Sequence, residues 1–507
     1  MSRIKKKRIA LIIGAIAGYF LLIFLLTTAE SAYGDKDGIL SFPDALWYSL
    51  VTLTTVGYGD LFPKSPGGRM IGAVFLLLST GVLALLFGLA YSMLTGRFFP
   101  HLRLWFHRHD KWIIFYPDNE ASRVLASRFQ DGCIIFCNTD RKDDSAAMYL
   151  RDDPQTLLNL PFAAQGERLL FAMSENVEKN EQLAQSLLTR PVHIYCRGEG
   201  LNESLPDNVV RFNQYDCAAR LYWQLKPLSP AGEQVLLLGN GRFAQTLLNH
   251  GILTAPPSCS FELFGDWQMW NALHEGLSHL PSSILDLHFH PGSWSGYRPL
   301  FESADRIILC SDDEKQNREL LRLLRQYYVT KDEFHVRASP GFQKAFYFGT
   351  PDMLFTPELV MRQRQHSLAR ALHEMYRSSA DYPVPAWEEL SDFLKHSNLA
   401  AADHLLTKVR LLLPEENVLA LTPEYCKKAA GRFAALSDEE REHLRAIEHY
   451  RWLTFHALYN WQYAQIRNNA ARQHPLMVPY EQLSPEDRRK DDSAWLQLST
   501  IASEEDL

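Results

Sequence analysis

Two apolar runs constrain this 507-residue chain more than any other feature. Residues 9–29 and 70–95 contain no charged side chain. As helices, at about 1.5 Å per residue, each is long enough to cross the roughly 30 Å hydrocarbon core of a bilayer. Arg3, Lys5, Lys6, Lys7 and Arg8 precede the first run, and Arg97, Arg103, Arg108 and Lys111 follow the second. The loop between is poorer in basic residues, so the positive-inside rule puts both termini on the cytoplasmic side. A cleaved signal peptide is the alternative for residues 9–29. Its apolar part would be shorter and would end at a small-residue cleavage site, so the sequence predicts a retained helix.

Residues 30–41 are polar and carry Glu30, Asp35 and Asp37, which suits an outer turret that gathers cations. A short amphipathic helix is predicted over 42–53, with Pro43 in its first turn. It leads into Thr54–Asp60, which reads TTVGYGD. TVGYG is the selectivity-filter sequence of potassium channels, and residues 9–97 resemble the two-transmembrane members of that family. The resemblance implies potassium held by backbone carbonyls of Thr55, Val56, Gly57 and Tyr58, with Gly59 completing the filter and the Thr55 hydroxyl adding a lower ring. One filter strand per chain implies a homotetramer surrounded by lipid, in a bacterial-type inner membrane. Gly57 and Gly59 suit backbone angles that a Cβ resists. Trp47, Tyr48 and Tyr58 are expected to form an aromatic cuff, with Asp60 in support. Gly72, Gly81 and Gly88 are hinge candidates in the second span, and close helix packing explains them equally well. Val51 stands where some relatives carry a glutamate, so a carboxylate-based inactivation mechanism is not implied. No arginine-repeat helix precedes the pore, so no voltage sensor is expected.

Hydrophobic residues make up 46% of the chain and its mean hydropathy is −0.20, so most of the mass is expected outside the membrane. Beyond residue 99 there are 43 Lys and Arg against 54 Asp and Glu, a balance of −11 that opposes nucleic-acid binding. All seven cysteines lie there without a metal-ligand spacing, so they read as buried thiols. Strand-like runs alternate with helical stretches: 112–116, 133–137, 168–173 and 192–196, then 235–238, 261–264, 304–310 and 333–337. LLFAMSENVEKNEQL and IILCSDDEKQNREL are versions of one piece, which makes 112–225 and 232–350 an internal repeat of Rossmann-like lobes. In this order after a pore they resemble tandem regulator-of-potassium-conductance domains. That resemblance implies a gating ring whose ligand-driven expansion pulls on the second helix.

Gly239, Gly241 and Ala244 match the glycine fingerprint for a dinucleotide phosphate, and Asp266 is placed for a ribose hydroxyl. This makes an adenine nucleotide or NAD(H) the candidate ligand of the second lobe, with packing glycines as the alternative. Tyr116, Asp118 and Ala121 occupy the matching places in the first lobe, where bulk and a carboxylate oppose a pyrophosphate. Asp312, Asp313 and Glu314 read as an acidic helix start rather than a calcium site.

Residues 362–500 change character, with helices predicted near 367–376, 387–412 and 438–459. ARALHEMY at 369–376, Trp387-Glu388-Glu389-Leu390, Ile447-Glu448-His449-Tyr450-Arg451-Trp452 and the run 474–483 resemble the repeat domain of ryanodine receptors. Asn460-Trp461 departs from the usual Gly-Trp. Trp387, Glu448, His449, Arg451 and Trp452 are the candidate ligand site here, with helix packing as the alternative for the tryptophans. The expected organisation is a membrane α-helical pore (1–99), two α/β Rossmann-like lobes (100–230 and 231–355) and a mainly α-helical terminal domain (362–500). The sequence therefore predicts a potassium channel gated by a cytoplasmic small molecule, not an enzyme. Its rivals are a stress or defence effector channel opened by a signalling nucleotide, and a membrane-tethered NAD-dependent enzyme. The degenerate first fingerprint and the intact filter sequence oppose the latter.

Overall fold

The computed structural model describes residues 3–33, 38–93, 99–141, 146–200, 206, 208–256, 258–327, 333–379 and 383–501; the side chains of 3–16, 79–83, 85, 86, 89, 92, 93, 99, 364, 365 and 500 lie outside that description. It divides into two compact units, 1–108 and 109–507.

In the first unit, α1 (Arg3–Tyr33), α2 (Phe42–Leu53) and α3 (Pro66–Met93) pack together. Ser41 starts α2 with a capping box, its backbone N–H donating to Asp44 at 3.0 Å, and proline sits in the first turn. Ile23, Leu26, Ile39, Ala45 and Phe75 form the apolar centre, and the Tyr19 and Ser49 hydroxyls bond at 2.7 Å. Glu30 corrects an expectation. It is not a turret acid but 2% exposed, accepting from the backbone N–H groups of Lys64 and Ser65, both at 2.9 Å, and from the Ser65 hydroxyl at 2.6 Å. A buried carboxylate is tolerated only when its oxygens are supplied with donors, and here it ties the end of α1 to the approach of α3. A Cβ on Gly68 would fall 1.9 Å from its Oε1, so that glycine is there to admit it. Asp35 and Asp37 lie outside the described residues. Among the described residues no helix is long and apolar enough to cross a membrane. The expected spans 9–29 and 70–95 both run beyond the described side chains.

The second unit holds two six-stranded parallel sheets. The first comprises β1 (Trp112–Tyr116), β2 (Cys133–Phe136), β3 (Met148–Tyr149), β4 (Arg168–Ala172), β5 (His193–Arg197) and β6 (Val209–Phe212), ordered 3-2-1-4-5-6. The second comprises β7 (Gln234–Leu238), β8 (Ser260–Phe264), β9 (Asp286–His290), β10 (Arg306–Leu309), β11 (His335–Arg337) and β12 (Phe346–Phe348), and repeats that order. This is the doubly wound Rossmann arrangement, with its crevice at the carboxyl ends of the strands.

The repeat extends to single side chains. Asn180, fully buried, accepts from the Ser174 N–H at 3.0 Å and donates to the Ser174 and Arg197 carbonyls, both at 2.8 Å. Asn317 does the same for Ser311 and Arg337, at 2.9, 2.9 and 2.8 Å. In each sheet one amide therefore fixes the ends of two neighbouring strands. None of the seven cysteines, all among the described residues, forms a disulfide, and six are buried.

The lobes meet through the helices Gln214–Leu225 and Arg242–Thr254. Trp223 donates to the Leu247 carbonyl at 2.9 Å, and a Cβ on Gly251 would approach the Trp223 ring to 2.8 Å. Phe455, Ala457 and Leu458 of the helix Asp438–Leu458 belong to the same apolar core as both sheets. The single helix expected over 387–412 is instead a turn at Trp387–Glu389 followed by helices Asp392–Asp403 and Leu405–Leu412. Leu390 is extended (ψ 141°), and Ser391 caps a fresh start by accepting from Leu394.

Candidate functional sites

The loop Thr54–Asp60 follows α2 directly. Thr55, Gly57 and Gly59 have φ of 62°, 62° and 74°, so every second residue is left-handed. Such alternation turns successive peptide units so that their carbonyls share one side of the strand. Thr55 adopts this conformation without glycine's freedom, a strain its sequence does not announce. The Val51 carbonyl, buried behind the loop, accepts from Val56 N–H at 3.0 Å and Gly57 N–H at 3.4 Å. Trp47 Nε1 donates to Asp60 at 2.8 Å and its ring stacks on Tyr58 at 6.1 Å. Tyr48 does not join this cuff; it packs edge-on to Phe75 within the helices. A Cβ on Gly72 would lie 2.9 Å from the Tyr48 hydroxyl and 3.1 Å from Pro63, which favours packing over bending there. Gly88 has no atom within 4 Å of such a Cβ, and Gly81 lies within α3 at one of the positions whose side-chain surroundings are outside the description.

In the second lobe Gly239 has φ 144° at the end of β7, and a Cβ there would meet the Cys310–Ser311 backbone at 2.7–2.8 Å. Gly241 begins the helix Arg242–Thr254, whose first turn has no cap from its own residues. Asp312, in the loop after β10, supplies one: its Oδ2 accepts from Arg242 N–H and its Oδ1 from Phe243 N–H, each at 2.9 Å. A Cβ on Gly241 would fall 2.3 Å from that carboxylate. Ala244 is buried under the turn. Asp266 is exposed; its carboxylate accepts from Gln268 N–H at 3.1 Å and its carbonyl from the Asn240 side chain at 3.0 Å. The backbone donors that a nucleotide phosphate needs are therefore already taken by a carboxylate of the same chain, so a phosphate fits here only where that carboxylate gives way.

The first lobe is closed differently. Asp118 accepts from Arg123 at 2.7 Å and Thr139 at 3.0 Å, while Asn119 caps the following helix by accepting from Ser122 N–H at 2.9 Å.

In the terminal region Glu448 and Arg451 meet each other rather than open space. Arg451 grips Glu448 at 2.8–3.1 Å, and Lys408 Nζ lies 2.9 Å from the other side of the carboxylate. All three are under 9% exposed. His449 bonds the Val478 carbonyl at 2.8 Å and stacks on Trp452 at 5.8 Å. Trp387 lies elsewhere in the helical core, against His373 and beneath Arg370. Beside this group, burial and the Glu448 charge push the Asp491 carboxyl up to about 8. Between about pH 4 and 8 the folded chain then holds a proton that the unfolded chain releases, so this residue's effect is to lower stability as pH rises through that window. Asp491→Asn is expected to raise the unfolding midpoint at pH 8 and leave it unchanged near pH 4, which thermal scans at the two pH values check.

A second network, built around one buried arginine, escaped sequence reasoning because its members come from distant segments. Arg220 is 3% exposed and bonds Asp216 at 2.9 Å and Asp403 at 2.6 Å; His250 bonds Asp216 at 2.8 Å. It joins a helix of each lobe to the helix Asp392–Asp403. A narrow cleft of about 40 Å³ opens next to it, lined in part by Arg211, His366 and His396.

An ion channel family model matches residues 9–96. Human potassium voltage-gated channel subfamily A member 6 is 39% identical over 61 residues, 11% of this chain and 12% of that protein. A voltage-gated potassium channel of Aeropyrum pernix is 47% identical over 62 residues, 12% of this chain and 21% of that one. The chain thus spans only an eighth to a fifth of the length of these relatives. Among solved structures, GsuK bound to ADP aligns with 80% of this chain and 99% of its own at 15% identity and a TM-score of 0.32. The GsuK channel bound to NAD aligns with 81% and 85% at 13% identity and 0.31. Ahead of two parallel Rossmann-like sheets, the chain therefore carries a segment similar to the pore domain of potassium channels.

Proposed function

We propose that the protein is a potassium-selective channel, a homotetramer in a bacterial-type inner membrane with both termini cytoplasmic. The reading assigns residues 1–99 to the pore, 100–230 and 231–355 to regulatory lobes, and 362–500 to a further sensor domain. The observation that carries it is the filter loop: left-handed Thr55, Gly57 and Gly59 alternate with Val56 and Tyr58 behind a capped α2. Four such strands around an axis offer stacked rings of carbonyl oxygens from Thr55 to Tyr58, which replace the water that potassium sheds. In the single chain Val56 is 53% and Tyr58 68% exposed, an uncovered loop of the kind that further copies would surround. The Trp47–Asp60 bond and the Trp47–Tyr58 stack brace the loop from outside.

The lobes are the proposed seat of gating by a small molecule, and the fingerprint nominates an adenine nucleotide or NAD(H). A ligand shifts a gate only through unequal affinity for its open and closed forms. The test is potassium flux from liposomes holding the purified full-length protein, with sodium as the competing ion and with ADP, ATP and NAD added in turn. Potassium-selective flux that one nucleotide changes is the expected result. Flux without selectivity overturns the filter reading, and selective flux that none of them alters overturns the nucleotide reading.

A further inference from the structure

We infer that Asp312 is a resident anion which competes with a nucleotide phosphate for the start of the helix Arg242–Thr254. The inference rests on the nucleotide reading of the second lobe and specifies how that site is controlled. A carboxylate and a phosphate oxygen pair ask for the same partners, two adjacent backbone N–H groups at the positive end of a helix. Asp312 satisfies both with one oxygen each, at 2.9 Å. The glycine at 241 is what lets the carboxylate approach, since any Cβ there would overlap it. The motif that makes room for a phosphate is thus filled from within the chain.

Asp312 is also held by its own backbone. Arg337 Nη1 donates to its carbonyl at 2.9 Å and to the Ser311 carbonyl at 3.3 Å, while the guanidinium lies over the Phe243 ring at 4.9 Å. Asn317 fixes Ser311. Asp312 is exposed and its carbonyl is held by Arg337, so a phosphate that takes the two amides displaces a rotamer and not a loop. Binding then costs the loss of the Asp312 cap, and a ligand without a phosphate gains nothing here.

The neighbouring acid provides a control for mere charge. Asp313 is likewise exposed, but its carboxylate accepts from Lys315 N–H at 2.8 Å and leaves the fingerprint amides alone. Equilibrium dialysis of ADP and NAD against the full-length protein tests the competition, using wild type, Asp312→Asn, Asp312→Ala and Asp313→Asn. At least a tenfold tighter binding is expected in both Asp312 variants and less than threefold change in Asp313→Asn (~0.65 kcal/mol, from ~1.4 kcal/mol per tenfold). Thermal scans give an independent readout: Asp312→Ala should unfold several degrees lower, with inorganic phosphate restoring part of the loss and leaving wild type unmoved. Equal affinity in wild type and the Asp312 variants overturns the competition while sparing the nucleotide reading. An equal gain in Asp313→Asn assigns the effect to bulk charge and also overturns it. No binding by any of the four proteins overturns the competition together with the nucleotide reading of this lobe, and leaves the pore reading standing.

Discussion

Protein carrying Gly57→Ala is expected to insert and assemble but to pass no measurable potassium in the liposome assay. The reason is backbone conformation, not collision. At φ 62° a Cβ on residue 57 meets nothing within 4 Å in the chain. The left-handed conformation still costs an L-residue about 1–2 kcal/mol. Four copies raise that to roughly 4–8 kcal/mol per proposed tetramer, enough to empty the filter conformation. The loop would relax toward right-handed angles and swing the Val56 and Gly57 carbonyls off the shared side. Flux that survives within tenfold of wild type would show that the alternation at 55–59 is not what conducts.

The second large effect belongs to Arg220. Its replacement by methionine keeps the bulk but leaves the half-buried Asp216 and Asp403 near each other with only His250 beside them. Breaking a fully buried pair by removing one partner costs about 3–5 kcal/mol, and because the two carboxylates left behind keep 18% and 11% side-chain exposure, the loss here falls toward the lower end. Burial opposes the charge of Asp216, and Arg220 and His250 overcome it, holding the carboxyl well below its usual range. Arg220→Met should therefore shift the urea midpoint of the full-length protein sharply downward, while Arg220→Met with Asp216→Asn and Asp403→Asn recovers most of the loss. If the triple replacement is no better than the single one, packing of the arginine stem matters and the charges do not.

The strands that sequence reasoning found and those it missed divide on one physical criterion. Runs at 112–116, 133–137, 168–173, 235–238 and 261–264 were legible because interior strands of a parallel sheet are covered on both faces and read as continuous apolar stretches. The four strands it missed, β3, β6, β9 and β12, are the four sheet edges. Asp286–His290 shows why: three of its five residues are polar or charged and none is buried. An edge strand is told by its neighbour, not by its own composition.

The sites divide in a similar way. TVGYG is a local motif, so the sequence alone suffices to propose it, and the structure adds the left-handed angles at 55, 57 and 59. The glycines of the second fingerprint were equally visible, but their occupant is 70 residues further along, and no spacing rule brings Asp312 to Arg242. Glu448, His449 and Arg451 were correctly placed on one helix, yet Lys408, which turns Glu448 inward, comes from another. Tyr48 shares its helix turn with Trp47 and faces the other way, a difference set by packing on Phe75.

Asn460 bears on how this protein can be taken apart. It sits at φ 58°, where asparagine is among the few residues tolerated besides glycine. Its side chain accepts from Gly276 N–H at 2.9 Å and donates to the Leu273 carbonyl at 2.8 Å, while His274 bonds the Leu458 carbonyl at 2.7 Å. The residue that breaks the Gly-Trp pattern thus rivets the terminal helices to the second lobe. Modular dissection will mislead for that reason: a chain cut near residue 361 bares the surface that Phe455 and Leu458 cover, and its silence would report a damaged scaffold and not a missing sensor. Single-atom edits such as Asn460→Asp, which exchange the donated bond for a repulsion and keep the bulk, separate the two.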